Sequence, residues 1–528
     1  AVELPAVGVE EEVAPLVFGG PGPHDLGDRP ELPFADLVSS TSYFEREANA
    51  ALELGLAEGA VLVNRFRCFG QLSVCGPNTV SATGITHIRY RLTERIVQEF
   101  RLISNTDGPL QWTLGAYFKD DDSQLGQVAP CYKGGGSPAH AALDKCRWIL
   151  GFFPDVPVED QAQIVPWYNN RLGVGNNNYL GFKEQAIYGE ASYRVSDQWE
   201  IQLGLRLAEV DHALDVARTG IDSKVDPLVS RTKSIDIESP KVVLTWRPIE
   251  DWMIYATYSE GFRPGQINHR LVTKVAQLGE AVNDPDTDEG TRTVAQAEID
   301  RTIGFRTAES DFVENTELGI KATVLGGRMS FTGSLYRMAY EDYVLRIGDE
   351  FPRGLPGRRR VSYGINAGDA ESEGLELEVR LALTDNLLLT FGGDKSFRAH
   401  LNSVAEAASE LFSSFGRGIT PGTRMSNAPD DSYYASLAYD FDLFGMDATA
   451  RVDTYGVAES LEIAFNNPRY VKPAYRTTDI KLLVNRDNWM LSAYVRNVAD
   501  EKIVHENTSL GYHLGRPRTF GVQVHYRR

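Results

Sequence analysis

No run of roughly 18 apolar residues occurs in this 528-residue chain, so a membrane-crossing helix is not expected. Basic residues are in the minority: 53 Lys and Arg stand against 73 Asp and Glu, a net charge of −20. That balance lacks the basic footprint nucleic acid needs, and no nucleic-acid partner is expected. Histidine is scarce, at nine, and scattered. G-x-S-x-G, H-E-x-x-H and G-x-x-x-x-G-K-[ST] do not occur, so the chain is not read as an enzyme and no cofactor is expected. The four cysteines form two local pairs, neither of them a CxxC and neither beside a histidine at metal-ligand spacing. In loops of an oxidising compartment they suit disulfides Cys68–Cys75 and Cys131–Cys146. Unpaired thiols are the alternative, and metal fits poorly. The opening AVELPAVGVEEEVAPLVFGG has no basic start, no continuous apolar core and no initiator Met, so the chain reads as mature or as cut from something longer.

What the chain does have is alternation. In SDQWEIQLGLRLAEVD, Trp199, Ile201, Leu203, Leu205 and Leu207 share one side of a strand, while Glu200, Gln202, Gly204, Arg206 and Ala208 share the other. PLQWTLGAYF, DWMIYATYSEGF, GLELEVRLAL, NWMLSAYVRN and TFGVQVHYR repeat the pattern. About sixteen such segments are read, starting near residues 34, 90, 109, 181, 198, 232, 251, 312, 328, 361, 386, 430, 446, 474, 488 and 517.

Their connections alternate in length. SNTDGP, VSDQ, RPIED, LGGR, LTDN, DLFG and NRDN are tight turns of Asn, Asp, Gly and Pro. The connections between are long, roughly 48–87, 121–180, 213–231, 263–310, 349–360, 401–424, 458–473 and 500–516. A soluble sandwich has no reason to gather its long loops at one end, whereas a barrel crossing a membrane does. In hydrocarbon every backbone polar group must be paired within the protein, and a closed sheet pairs them all. The expected fold is therefore all-β, a transmembrane antiparallel up-and-down β-barrel over residues 34–528. Residues 1–33 read as an irregular segment, a loop or the remnant of an upstream strand. Trp112, Trp199, Trp252 and Trp489 fit an interfacial aromatic girdle.

SNTDGPLQWTLGAYF, YATYSEGFRPGQIN, ENTELGIKA, NAGDAESEGLELEV and YVRNVADEKI…GRPRTFGVQVHYR resemble the barrel of TonB-dependent outer-membrane receptors, from about residue 34 to the end. The resemblance implies an outer-membrane barrel of roughly 22 strands around an N-terminal plug, with a TonB box before it. It implies uptake of a scarce large solute energised by the TonB–ExbB–ExbD complex. The barrel-assembly machinery and lipopolysaccharide are further implied partners. No plug or TonB box precedes the barrel here, about six strands fewer are visible, and the chain ends on Arg528 rather than an aromatic residue. The chain is thus expected to be the C-terminal barrel portion of such a receptor. The leading function is import of a ferric siderophore or similar iron chelate. A passive porin-like barrel, an oligosaccharide- or cobalamin-importing barrel, or a non-transporting fragment are the alternatives.

Candidate ligand-binding residues lie in the long loops. Trp167, Tyr168 and Arg171 in IVPWYNNRLG suit stacking and hydrogen bonding to a sugar or aryl chelate, or a self-packed loop. Phe262, Arg263, Gln266 and Asn268 in GFRPGQIN could line the mouth, or Pro264 and Gly265 simply turn the chain there. Arg358, Arg359 and Arg360 could hold lipopolysaccharide phosphates or an anionic chelate, or pair with nearby acids. Asp284, Asp286 and Asp288 have calcium-loop spacing, but Glu289 and Ala295 stand where Gly and Glu are wanted, so a solvated acidic loop is the stronger reading. Glu371 and Glu373 share a strand face; a carboxylate pair for hydrolysis is conceivable, but the resemblance implies polar residues pointing into the lumen.

Overall fold

The computed structural model describes residues 16–18, 34–54, 85–128, 175–219, 229–351, 359–414, 418–461, 471–508 and 511–526. Sixteen long strands form one antiparallel sheet in sequence order. They are β1 (Ala35–Leu54), β2 (Ile85–Ser104), β3 (Leu110–Val128), β4 (Gly175–Arg194), β5 (Trp199–Thr219), β6 (Val229–Trp246), β7 (Trp252–Arg263) and β8 (Asp311–Val324). They continue as β9 (Met329–Glu341), β10 (Ala370–Thr384), β11 (Leu387–Leu401), β12 (Asp431–Asp442), β13 (Asp447–Val457), β14 (Tyr475–Arg486), β15 (Trp489–Arg496) and β16 (Thr519–Tyr526). Each pairs with the next, and Leu16–Phe18 pairs with residues 39–41 of β1. None of the described helices is long and apolar enough to cross a membrane.

The two faces differ as the alternation requires. Leu203, Leu205 and Leu207 are exposed, as are Leu37, Leu114, Ile187, Leu244, Leu318, Leu335, Leu377 and Leu491 on other strands. Ala208, Val210 and Ile237, on the opposite face, are buried. Exposed leucines side by side on strand after strand make sense only if the solvent there is hydrocarbon. Trp199 and Trp246 stack at 5.6 Å beside the short turn joining β4 to β5, and Trp252 and Trp489 likewise follow short turns.

The apolar stretch has a sharp upper limit. Glu45, Glu94, Asp120, Glu209, Asp236 and Glu314 share the outward face with those leucines, each ten residues from its strand's short-turn end, as from Trp199 to Glu209. Ten residues rise about 33 Å along a strand, or about 25 Å along the normal at the usual tilt, the height of an outer-membrane barrel's apolar band. Beyond this limit β1–β6 run on for up to a further ten residues. Those extensions begin earlier and end later than the sequence pattern indicated, because an outward face above the lipid needs no hydrophobic alternation.

One strand start is corrected. A barrel strand was expected from near residue 361. Instead Arg359–Asn366 pairs with Val344–Phe351 as a separate hairpin, and the sheet resumes at Ala370. Val361, Tyr363 and Ile365 do alternate, but Tyr363 and Ile365 are buried against other loops rather than facing lipid.

Candidate ligand vestibule

Three long connections fold together above the sheet. The β7–β8 connection carries α1 (His269–Asn283) and α2 (Glu289–Thr302), the β9–β10 connection carries the hairpin, and the β11–β12 connection carries α3 (Glu406–Ser414). Leu271, Val275 and Leu278 fall on one face of α1 and pack with Ile299 of α2, Ile347 and Tyr363 of the hairpin, and Phe412 of α3. A single apolar core therefore ties three loops into one cap. α2 is delimited by its own residues: the Asp288 carboxylate accepts from the Thr291 N–H at 2.9 Å, Glu289 stands in the first turn and Arg301 in the last. The Thr291 hydroxyl and N–H hold the Asp288 carboxyl below its ordinary range.

The cap is anchored by two polar joints. Asn268 is buried; its Nδ2 donates to the carbonyls of Phe305 (2.8 Å) and Gly364 (2.7 Å), and its Oδ1 accepts from the Gly364 N–H (2.8 Å). Arg263 donates Nε to both oxygens of the buried Asp311 at 2.8 and 2.9 Å, and its guanidinium lies 5.1 Å from the Tyr343 ring centroid. Asp311 also accepts from the Val344 N–H, so one carboxylate links β7, β8 and the hairpin. Burial pushes the Tyr343 phenol up, opposed by Arg263.

Below the cap, the inward face of β2–β6 forms a wall. Nearest the short turns, Glu190 accepts from Gln202 (2.6 Å) and Lys241 (3.0 Å). Next, Tyr188 donates to Glu99 at 2.5 Å, and Arg206 pairs with Glu184 at 2.5 Å while its guanidinium lies 5.0 Å from the Tyr117 ring. Then comes an apolar shelf of Ala186, Ala208, Val210 and Ile237, edged by Tyr117, Phe182 and Phe262. Above it, Lys119 lies 4.4 Å from the Phe182 ring, His212 meets that ring edge-on at 4.9 Å, and Lys233 pairs with Glu309 of the cap at 2.6 Å. Aromatic faces bracketed by Arg206, Lys119 and Lys233 can stack on a flat ligand and neutralise anionic oxygens. Among the described residues, no group of three His, Cys, Asp or Glu is placed to hold a metal.

The residues singled out in the sequence do not gather in one place. Trp167, Tyr168, Arg171, Arg358 and the four cysteines lie outside the described residues, while Arg359 and Arg360 begin the second arm of the hairpin. Phe262 packs on the wall's shelf, and Arg263 and Asn268 hold the cap in place, with Gln266 donating to Asn268 at 3.3 Å. Asp284 and Asp288 serve the α1–α2 turn: Asp284 accepts from the Asp286 N–H at 2.9 Å, and Asp288 caps α2. Glu371 and Glu373 are corrected. They continue the outward row of Leu377 and Leu375 and pair with Ala339 and Arg337 of β9, so they face away from the lumen. Sequence reading missed Arg206, Tyr117, Phe182 and Lys119. Alternation placed them inward, but nothing in one strand tells which inward residues become neighbours.

The family model for the TonB dependent receptor-like β-barrel matches residues 32–498. Among solved structures, the chain is similar to the ferric yersiniabactin uptake receptor FyuA from Yersinia pestis (12% identity, TM-score 0.61, covering 94% of this chain and 59% of that one). It is also similar to the siderophore receptor PiuA from Acinetobacter baumannii (12%, 0.59, 94% and 62%) and to the copper transporter OprC (12%, 0.59, 94% and 63%). The chain thus spans about three fifths of the length of these structures. At such identities the likeness is one of fold. The family match, the exposed apolar band and the hairpin-by-hairpin sheet agree, and the chain belongs to the TonB-dependent receptor-like β-barrel family of the outer membrane.

Proposed function

We propose that this chain is the barrel portion of a receptor that imports a scarce, large solute by TonB-energised transport, with a ferric siderophore or similar iron chelate as the solute. Residues 34–528 form the barrel domain on this reading. The observation that carries the reading is the inward wall, where Tyr117 and Phe182 are bracketed by Arg206, Lys119 and Lys233 below a loop cap. A bulky anionic ligand with flat aryl groups is matched by such a wall; a small neutral solute gains little from it. Trp167, Tyr168, Arg171 and Arg358–Arg360 belong to the entry on this reading, while Arg263, Gln266 and Asn268 support it by fixing the cap. The working partners are the TonB–ExbB–ExbD complex, the barrel-assembly machinery and outer-membrane lipid.

The test uses the full-length protein in iron-starved cells given a labelled ferric chelate. Uptake that requires the protein, stops when the proton-motive force is dissipated, and falls when Arg206 and Lys119 are both replaced by Gln is the expected result. Uptake indifferent to the proton-motive force, with steady ion conductance in planar bilayers, would make the barrel a passive pore and overturn the proposal.

A further inference from the structure

Among the described strands, the apolar band carries a polar island at mid-depth on β1 and β2. The outward row of β1 reads Leu37, Ser39, Thr41, Tyr43, and that of β2 reads Phe100, Gln98, Ile96. Leu37, Tyr43, Phe100 and Ile96 are exposed like the rest of the band. Ser39 and Thr41 stand four and six residues above Ala35, and Gln98 pairs with Thr41, so the three polar residues have apolar neighbours above and below them. Other outward polar side chains keep to the upper edge. Gln185 and Glu260 pair across with Glu209 and Glu314. Glu238 and Thr316 stand one outward step from Asp236 and Glu314, and Thr478, which meets Thr454, stands one step from Arg476.

The three side chains bond one another. The Thr41 hydroxyl donates to Gln98 Oε1, and Gln98 Nε2 donates to Ser39 Oγ at 3.1 Å and to the Glu99 carbonyl at 3.3 Å. One donor and one acceptor are left over: the Ser39 proton has no acceptor among the described residues, and Gln98 Oε1 keeps a second lone pair. Acyl chains supply neither partner, and a polar group left unpaired in hydrocarbon is costly. A strand lying along the edge of β1, as Leu16–Phe18 does, pairs backbone with backbone and leaves the outward face uncovered. The partner must therefore sit in the membrane against the face of β1 and β2, and bring one donor and one acceptor of its own.

A second copy of the same face brings both. Two copies keep their short turns on one side of the membrane, so the two-fold axis between them runs along the membrane normal, and groups meet only at equal depth. With Gln98 Nε2 only 3.1 Å from Ser39 Oγ, the spare donor and the spare acceptor lie at nearly one depth. We propose that the outward face of β1 and β2 is the contact surface of a homodimer. Ser39 of each protomer donates to Gln98 Oε1 of its partner, and Leu37 and Phe100 pack against their counterparts around this polar centre. The hydrogen bonds fix the register of two otherwise apolar faces. The leucine rows of the remaining strands stay with lipid.

The test uses the full-length protein in outer membranes. Phe100→Cys, the register partner of Ser39, is bridged with a short bis-maleimide and read on a denaturing gel. A product of twice the chain's mass, absent from the unsubstituted protein, is expected; Leu318→Cys, exposed on β8, should give none. Gln98→Leu with Ser39→Ala removes both hydrogen bonds and should weaken association about tenfold, read as the dimer fraction by native mass spectrometry from lipid nanodiscs. Both replacements are apolar on a lipid-side face, so the barrel should still fold, which heat-modifiable migration checks. Thr478→Val, the same kind of change at a distant outward site, should leave the dimer fraction as it is. A Phe100→Cys protein that stays monomeric or bridges to a different protein would overturn the proposal. So would a dimer fraction that ignores Gln98→Leu with Ser39→Ala, or one that Thr478→Val lowers equally.

Discussion

Replacing Gly115 with alanine would set a methyl carbon 2.2 Å from Cζ of Tyr188 and 2.4 Å from its hydroxyl oxygen. The Tyr188 ring lies flat across β3 at this glycine, its register partner, and reaches Glu99 on β2 with a 2.5 Å hydrogen bond. The ring must lift, and that bond to a charged acceptor, about 1.5–3 kcal/mol, is lost or weakened. Alanine returns about 0.5–1 kcal/mol through reduced backbone entropy of the unfolded chain. The expected net loss is about 1–2 kcal/mol, read by urea titration of the protein refolded into lipid vesicles. In a Tyr188→Ala background the obstruction is gone and the same substitution should be neutral or stabilising, giving a coupling near 2 kcal/mol. Equal effects of Gly115→Ala in both backgrounds would refute the reasoning. The arrangement recurs inside the sheet at Gly319 under Tyr255, Gly392 under Tyr434 and Gly521 under Tyr494, so the result bears on more than one joint.

Three further outcomes are expected. Leu203→Arg, facing lipid within the apolar band, should cost about 2–4 kcal/mol in the same vesicle titration, and inward-facing Gln202→Arg much less; equal penalties would reverse the assignment of faces. Asn268→Ala leaves two carbonyls and the Gly364 N–H without their partner, a local loss of about 2–4 kcal/mol. Faster amide exchange and proteolysis across residues 264–310, with heat-modifiable migration of the barrel intact, would show it. Because the Asp288 carboxyl is held below its ordinary range, its stabilisation of α2 is present above the unfolded-state value and fades as pH falls through the depressed one. Amide protection over residues 289–302 should therefore drop on acidification, and Asp288→Ala should remove that pH dependence.

Much of the sheet could be read directly, because membrane strands obey two independent constraints. Alternation assigns the face, as for Trp199–Leu207, and the short turns assign the end, as for SNTDGP and VSDQ. What could not be read follows from where those constraints lapse. Above the lipid β3 needs no apolar face, so the polar run Asp120–Gln124 looks like loop although it is strand. The hairpin strand Arg359–Asn366 alternates convincingly, yet its apolar side is buried by loop helices that come from distant sequence. Glu371 and Glu373 differ for another reason. The family resemblance implies the lumen for them, whereas parity with Leu375 and Leu377 places both outward, above the acyl chains. The ligand wall was invisible because Tyr117, Phe182, Arg206 and Lys119 meet only through strand register, and registers of eighteen and twenty paired positions leave no mark on either strand alone.

The ring of carboxylates ten residues above the short turns works as a plumb line. Sinking the molecule by one residue pair would drag Glu45, Glu94, Asp120, Glu209, Asp236 and Glu314 toward hydrocarbon together, each at a cost of up to about 1 kcal/mol near the interface. Riding higher would instead strip Trp199, Trp246 and Trp252 from their interfacial seat. Immersion depth is thus set from both sides, and a bilayer of the wrong thickness has to stretch or thin around this protein rather than the protein adjusting to it.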